Sequence, residues 1–335
     1  MTSKYSDREA YRALLSGRPV WQVGSFEATL FYPSVIPDSM ARAFVIEAGS
    51  RFGQYTGGAD MFGVEWEFVP QVGGSTVRPG NPTLTDITEW PDVLKWPDVE
   101  NWDWEGSART NKDFFDENKF NNMAFMNGWF ERLVSLMDFS EAVMALIDEE
   151  QEDAVKSFFD KLTDTYIDIF DRSIQCFPNI DGFWIHDDWG GQQNTFFSPE
   201  TCNEMIVPYM KRVTDFLHSK GKHCDFHSCG SLARQIPNII AAGWDSWTPQ
   251  FGANDVEAIY DQYGDRILIG VTYDWPDPEA DETMQIQAVS QFVNKYCRED
   301  KLCLLNIERS RKISPLIQEE IKKQSAAKFA QNRQK

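Results

Sequence analysis

The segment Gly221-Lys222-His223-Cys224-Asp225-Phe226-His227-Ser228-Cys229-Gly230 has the pattern of a short strand that ends in a histidine and a thiol two positions apart, followed by a glycine. Side chains alternate faces along a strand, so His227 and Cys229 point the same way. Cys224, Phe226 and Ser228 make up the other, more apolar face, which should meet helices. His223 shares the His227 face but lies ~13 Å away at about 3.3 Å per residue, too far to share a metal. An imidazole and a thiolate side by side at a strand end supply two ligands of a catalytic zinc site. The plainer reading is a helix-facing thiol and a histidine bonded to a backbone carbonyl, and alternation counts against it.

Working outward, strands and helices take turns. Pro19–Gly24 and Val64–Val69 read as early strands, and Asp7–Leu15 as an opening helix. A helix rich in Ala and Phe follows Asp38 and ends near Gly49. Met123–Gly128 and Gly182–Asp187 are strands. Phe139–Ile147 and the amphipathic Glu152–Gln175 are helices. Ser198-Pro199-Glu200 starts a helix that runs to His218, with proline at its first position. After the His227 strand come helix Leu232–Ala241, strand Trp244–Thr248, helix Val256–Tyr263, strand Arg266–Val271, helix Met284–Tyr296 and strand Leu302–Ile307. This alternation implies a parallel sheet, and about eight strands close it into a single α/β domain, a (β/α)8 TIM barrel over residues 1–335. An open doubly wound sheet is the alternative, but no glycine-rich nucleotide loop follows any strand. Residues 71–106 form an excursion rich in proline and tryptophan, a length that marks a functional lid or a crossing over one barrel end.

At 335 residues the chain can bury a large core. Its formal net charge of −20 argues against nucleic acid and against anionic membrane surfaces, which it would repel. The last 25 residues carry seven basic and two acidic side chains and read as a solvated terminal helix. Six scattered cysteines, a charged start without the look of a signal peptide and the lack of a long apolar run point to a reduced, cytoplasmic setting.

In barrels of this kind active sites gather at the C-terminal strand ends. Those ends here carry Asn127, Asp187 with Asp188, His227 with Cys229, Gln250, and Asn306 with Glu308. Asp187 and Asp188 are the candidate catalytic carboxylates, one of which should face the lumen. Asn127, Gln192 and Gln250 are read as polar walls that bind substrate. Glu308, at the rim, and Cys303, mid-strand, are candidates for a third metal ligand, with Glu308 preferred for its reach. His186, facing opposite to Asp187, and His218, at the end of a surface helix, read as structural.

Asp187-Asp188-Trp189-Gly190-Gly191-Gln192, Ser198-Pro199-Glu200, Pro208-Tyr209-Met210-Lys211 and Gly221-Lys222 leading into His227-Ser228-Cys229-Gly230 resemble the uroporphyrinogen decarboxylase superfamily, and within it the corrinoid-dependent methyltransferase branch. Ile236–Ile240, Gly243-Trp244-Asp245 and the opening Arg8–Leu14 with Pro19-Val20-Trp21 extend the likeness over most of the chain. The resemblance implies a (β/α)8 barrel and a zinc held by the His227–Cys229 pair. It also implies a further ligand, often a cysteine after a glycine near the C-terminus; Asn306-Ile307-Glu308 stands in that neighbourhood instead. The decarboxylases hold their substrate with an arginine-rich N-terminal segment, and Gln22–Phe31 contains no arginine.

These readings give the expected function: transfer of a methyl group, with zinc, from a small methylated donor to the cobalt of a corrinoid (cobalamin) protein. The first donor expected is a methoxylated aromatic, demethylated at oxygen under the tryptophan-rich excursion, by a chain that could also be a homodimer. A cofactor-free decarboxylase of a small acid, working through Asp187 or Asp188, is the second reading. A corrinoid-protein binding module without catalysis is the third.

Overall fold

The computed structural model describes residues 4–50, 54, 56–71, 73–307 and 312–333. Along the chain come α1 (Asp7–Leu15), β1 (Ala28–Phe31), α2 (Pro37–Ala41), β2 (Gly57–Ala59), β3 (Glu65–Val69) and β4 (Gly74–Val77). Next are α3 (Trp90–Val93), α4 (Trp104–Thr110), β5 (Phe120–Phe125), α5 (Trp129–Met137), α6 (Phe139–Ala145) and α7 (Glu152–Cys176). Then follow β6 (Gly182–His186), α8 (Pro199–Met205), α9 (Val207–Ser219), β7 (His223–Ser228) and α10 (Ile236–Ala241). The chain closes with β8 (Ser246–Pro249), α11 (Val256–Tyr263), β9 (Leu268–Val271), α12 (Glu282–Tyr296), β10 (Cys303–Leu305) and α13 (Pro315–Asn332). The class is α/β: β1 and β5 to β10 make up a seven-stranded sheet, while β2, β3 and β4 form a separate antiparallel one.

The chain divides into two compact units, Met1–Thr29 with Asp116–Phe120 and Asp245–Lys335, and Leu30–Phe115 with Asn121–Trp244. In the second unit β5, β6 and β7 pair in parallel, in that order, with Asn122 opposite Gly182 and His186 opposite His227. β5 is buried along its whole length, as a central parallel strand covered on both faces must be. α7 covers this part of the sheet because Phe158, Phe159, Leu162, Tyr166, Ile169 and Phe170 recur at helical spacing and are all buried. α5 buries seven of its nine residues, including Arg132 and Ser135 from its polar stripe, so that stripe meets buried partners and not water.

In the first unit β8, β9 and β10 pair in parallel. The strand expected over Pro19–Gly24 is reduced to one bridge, from Gly24 to Leu305, held by hydrogen bonds from Leu305 N–H to the Val23 carbonyl and from Ser25 N–H to the Leu305 carbonyl. Ala10, Tyr11, Leu14, Trp21, Val23, Phe120 and Leu304 form the core beneath it. α1 spans Asp7–Leu15 as expected, and its cap is Ser6, which makes a reciprocal capping box with Glu9.

Three further expectations change. The helix after Asp38 stops at Ala41, and Ala43 takes φ +59°, which ends the turn. The strand at Val64–Val69 exists as β3 but belongs to the small antiparallel sheet. The helix from Ser198 to His218 breaks at Ile206, where Pro208 lacks the N–H that would continue it. Among the described residues no helix is long and apolar enough to cross a membrane.

Candidate metal centre

β6 and β7 run parallel with His186 opposite His227, so alternation carries two side chains past each strand end onto one face. On β6 these are His186 and Asp188; on β7 they are His227 and Cys229. One donor atom from each of the four lies within 4.8 Å of the others. His186 Nε2 is 3.3 Å from Asp188 Oδ1, and Cys229 Sγ is 3.5 Å from His227 Nε2. His186 is buried and the other three are partly exposed, so the cluster is supported from below and open to a small molecule.

The loops that hold these donors are laced by their main chains. Cys229 N–H donates to Asp188 Oδ1 at 2.6 Å, Trp189 N–H to Ser228 Oγ at 2.9 Å, and Ser231 N–H to the Gly191 carbonyl at 2.8 Å. Gly230 is required here: its φ is +89°, and a Cβ on it would meet the Gly190 carbonyl oxygen at 2.1 Å.

A second layer grips His186 from behind. Its Nδ1 lies 2.6 Å from Glu131 Oε2, in the first turn of α5, and Glu131 Oε1 accepts from Arg42 Nη1 at 2.8 Å. Burial works against a charged imidazolium, but Asp188 and Glu131, one at each ring nitrogen, hold His186 well above the usual histidine range. Burial also opposes the Glu131 anion, yet Arg42 and His186 hold that carboxyl down to about 2. Burial pushes the Cys229 thiol up, with His186 pulling the other way. The cluster therefore favours a positive charge between its donors. Two imidazole nitrogens, a sulfur and a carboxylate oxygen are a donor set that suits Zn²⁺. The residues present fit the ion.

The expected site residues separate. His227, Cys229 and Asp188 come together. Asp187 points the other way: fully buried, it accepts from the N–H groups of Trp129 (3.1 Å), Phe130 (3.2 Å) and Glu131 (2.8 Å) and from Trp189 Nε1 (3.0 Å). It holds the N-terminus of α5 rather than facing a lumen. Burial and the Glu131 carboxylate push it up to about 7, against the pull of those donors. Asn127, at φ +62° and fully buried, accepts from Arg42 and donates to Asp38, so it braces the scaffold instead of lining a wall. Gln192 sits in the bend after β6, exposed to solvent. Gln250 follows β8 in the other unit, where its carbonyl accepts from Asn254 Nδ2. Glu308 lies outside the described residues. Cys303 is fully buried beside Gln22 and Tyr296, and burial lifts its thiol well above the usual range.

His186, set aside as structural, is instead a member of the cluster, and Glu131 and Arg42 had no mark in the sequence reading at all. The signal for His186 was present: His186-x-Asp188 and His227-x-Cys229 repeat one spacing on adjacent parallel strands. Aromatic rings flank the cluster. Trp184 stacks on His227 with centroids 5.0 Å apart, and Tyr32 packs on Trp184 and Phe44. The excursion's Trp90 and Trp96 pack on Phe158 and Lys161 of α7.

Residues 37–270 match the sequence profile of the family described as Uroporphyrinogen decarboxylase (URO-D). The chain belongs to the uroporphyrinogen decarboxylase family. The resemblance read from its motifs and the TIM-barrel class expected from it therefore hold. No curated protein matches the chain by sequence. Among solved structures, a methyltransferase from Methanosarcina mazei aligns at TM-score 0.60 and 14% identity, covering 98% of this chain and 100% of that one, which shows a shared fold. A Group IV chitinase of Ostrinia furnacalis (TM-score 0.29, 11% identity, 56% of this chain and 58% of that one) is similar too weakly to carry an argument. The same is true of a sugar phosphate isomerase/epimerase of Parabacteroides distasonis (TM-score 0.32, 8% identity, 90% and 92%).

Proposed function

We propose that this member of the uroporphyrinogen decarboxylase family is a zinc-assisted methyltransferase that moves a methyl group from a small methylated donor to the cobalt of a partner corrinoid protein. The observation that carries this reading is the four-donor cluster of His186, Asp188, His227 and Cys229 at the ends of two neighbouring strands. A methyltransferase that shares the fold supports it further. The four side chains would hold the ion, which when bound supplies a Lewis acid that stabilises charge on a departing heteroatom.

The remaining work falls to the chain. Glu131 and Arg42 hold His186 in place, and the Cys229 N–H orients the Asp188 carboxylate. Trp184, half-buried and stacked on His227 over a core that includes Tyr32 and Phe44, puts an aromatic side chain beside the donors, which makes a methoxylated aromatic the first donor to try. In the transfer the cobalt electron pair of the corrinoid forms the new Co–C bond while the C–O pair stays on the leaving phenolate oxygen. Decarboxylation through Asp187 has less support, because both of that residue's oxygens are taken by the N-terminus of α5.

The test combines metal content and spectroscopy. The purified chain should hold about one zinc, and with a Co(I) corrinoid protein and methoxylated aromatics it should yield the methylcobalt absorption. His227→Ala and Cys229→Ser should lose both. Full metal content and full transfer in His227→Ala would sink the reading.

A further inference from the structure

We propose that Glu131 is a positioning residue of this centre, fixing the His186 ring so that Nε2, and not Nδ1, is offered to the metal. The proposal rests on the reading that the cluster holds zinc.

An ionised carboxylate only accepts hydrogen bonds, so Glu131 Oε2, 2.6 Å from His186 Nδ1, keeps a proton on Nδ1, and the nitrogen a metal would take by displacing a proton is Nε2, on the side of Asp188, His227 and Cys229. Glu131 cannot turn away, since its other oxygen is held by Arg42 Nη1, which also donates to Asn127 Oδ1 at 2.6 Å. The helix that carries Glu131 is fixed to the strand that carries His186 by the very next residue. Asp187 accepts the N–H groups of Trp129, Phe130 and Glu131 itself. Ring and carboxylate are thus two ends of one closed circuit, with little freedom to choose another geometry.

The arrangement makes the isosteric change the informative one. In Glu131→Gln, Arg42 has only donors to offer and so keeps the amide oxygen, which turns the amide NH₂ toward His186 Nδ1. Nδ1 must then accept, the ring proton moves to Nε2, and the lone pair needed by the metal is gone. Zinc affinity, measured by competition with a chromophoric chelator in urea-free buffer where the variant is folded, should fall about 10- to 100-fold. The urea unfolding midpoint should drop too, because Arg42 loses its buried carboxylate partner. His186→Ala should lose a similar amount, and the double variant should be no worse than His186→Ala, because Glu131 acts only through that ring. ¹⁵N-histidine spectra of the zinc-loaded wild type should show the Nδ1–H form at His186.

Unchanged zinc affinity in Glu131→Gln, a loss that adds in full to that of His186→Ala, or zinc on Nδ1 in the wild-type spectrum would each overturn the proposal. The wild-type spectrum decides the matter even if Glu131→Gln fails to fold. Zinc lost by His227→Ala but kept by Glu131→Gln overturns this inference alone. A wild-type chain that binds no zinc overturns it together with the reading beneath it.

Discussion

Two buried polar clusters meet α5 through consecutive residues, and they solve the problem of buried charge in opposite ways. Glu131 reaches the ring of His186, behind which Asp188, His227 and Cys229 gather. Arg132, fully buried, pairs with Asp38 and with Asp60, and Asp60 also accepts from the N–H groups of Phe62 and Val64 and from Trp66 Nε1. The second cluster brings its own cation. The first turns two imidazoles, a thiol and a carboxylate toward one another, and its cation, Arg42, sits behind Glu131 instead of among those four donors. Charge that is already neutralised inside the chain serves the scaffold, whereas donors left facing one another mark a place for something to bind.

The largest effect should come from breaking the self-sufficient cluster. Arg132→Met leaves Asp38 and Asp60 buried without their cation, and such losses cost about 3–5 kcal/mol. Urea unfolding should show it, and a stability near wild type would mean that the contrast drawn between the clusters is wrong.

Glu27 sharpens the comparison, because it is a buried carboxylate with poor pairing. Burial pushes it up from 4.5 to about 7, against the pull of Lys322 Nζ, at 3.4 Å, and the Gly24 N–H, at 3.0 Å. A carboxyl raised on folding favours the fold most below its unfolded value. That contribution is lost as pH rises from about 4.5 through 7. Stability should therefore fall across this window, Glu27 contributing up to about 3 kcal/mol beside the share of Asp187, which is raised to about 7 as well. Glu27→Gln should make the profile shallower and be the more stable chain at pH 8. A wild-type profile that rises over the window would reverse the assignment.

The smallest changes separate two neighbours. Asp187→Asn should cost about 1–3 kcal/mol by weakening the acceptor at the N-terminus of α5, with zinc stoichiometry intact. Asp188→Asn should leave the unfolding midpoint alone and lower zinc affinity. Identical behaviour of the two variants in both assays would erase the distinction between scaffold and site.

The strand bearing His227 was legible because alternation depends only on the backbone. Alternation sets Cys224 apart from the pair, the rise per residue sets His223 apart, and the cluster contains neither. His186 was missed because facing was judged within β6 alone. Only the parallel register with β7 shows that His186 and Asp188, not Asp187, share the face of His227. Asp187 looked catalytic because a carboxylate at a strand end has the same sequence mark whether it meets a lumen or a helix terminus. The helix that decides between the two, α5, carries a helical pattern, with Glu131, Arg132 and Ser135 set against Trp129, Phe130, Leu133, Leu136 and Met137, but nothing local shows that its N-terminus meets Asp187. Arg42 and Glu131 are far apart in sequence and ordinary in type, and nothing local marks a pair that only tertiary packing brings to 2.8 Å.

The contact of Gly230 with Gly190 has a consequence for engineering. Backbone meeting backbone sets the gap between the two loops, so the gap is a fixed gauge that does not depend on which side chains project from it. Donors can then be exchanged like fittings on one frame. Cys229→His or Asp188→Cys would shift metal preference along the hard–soft scale without rebuilding the strands, while any residue larger than glycine at position 230 would spread the frame and misplace all four at once.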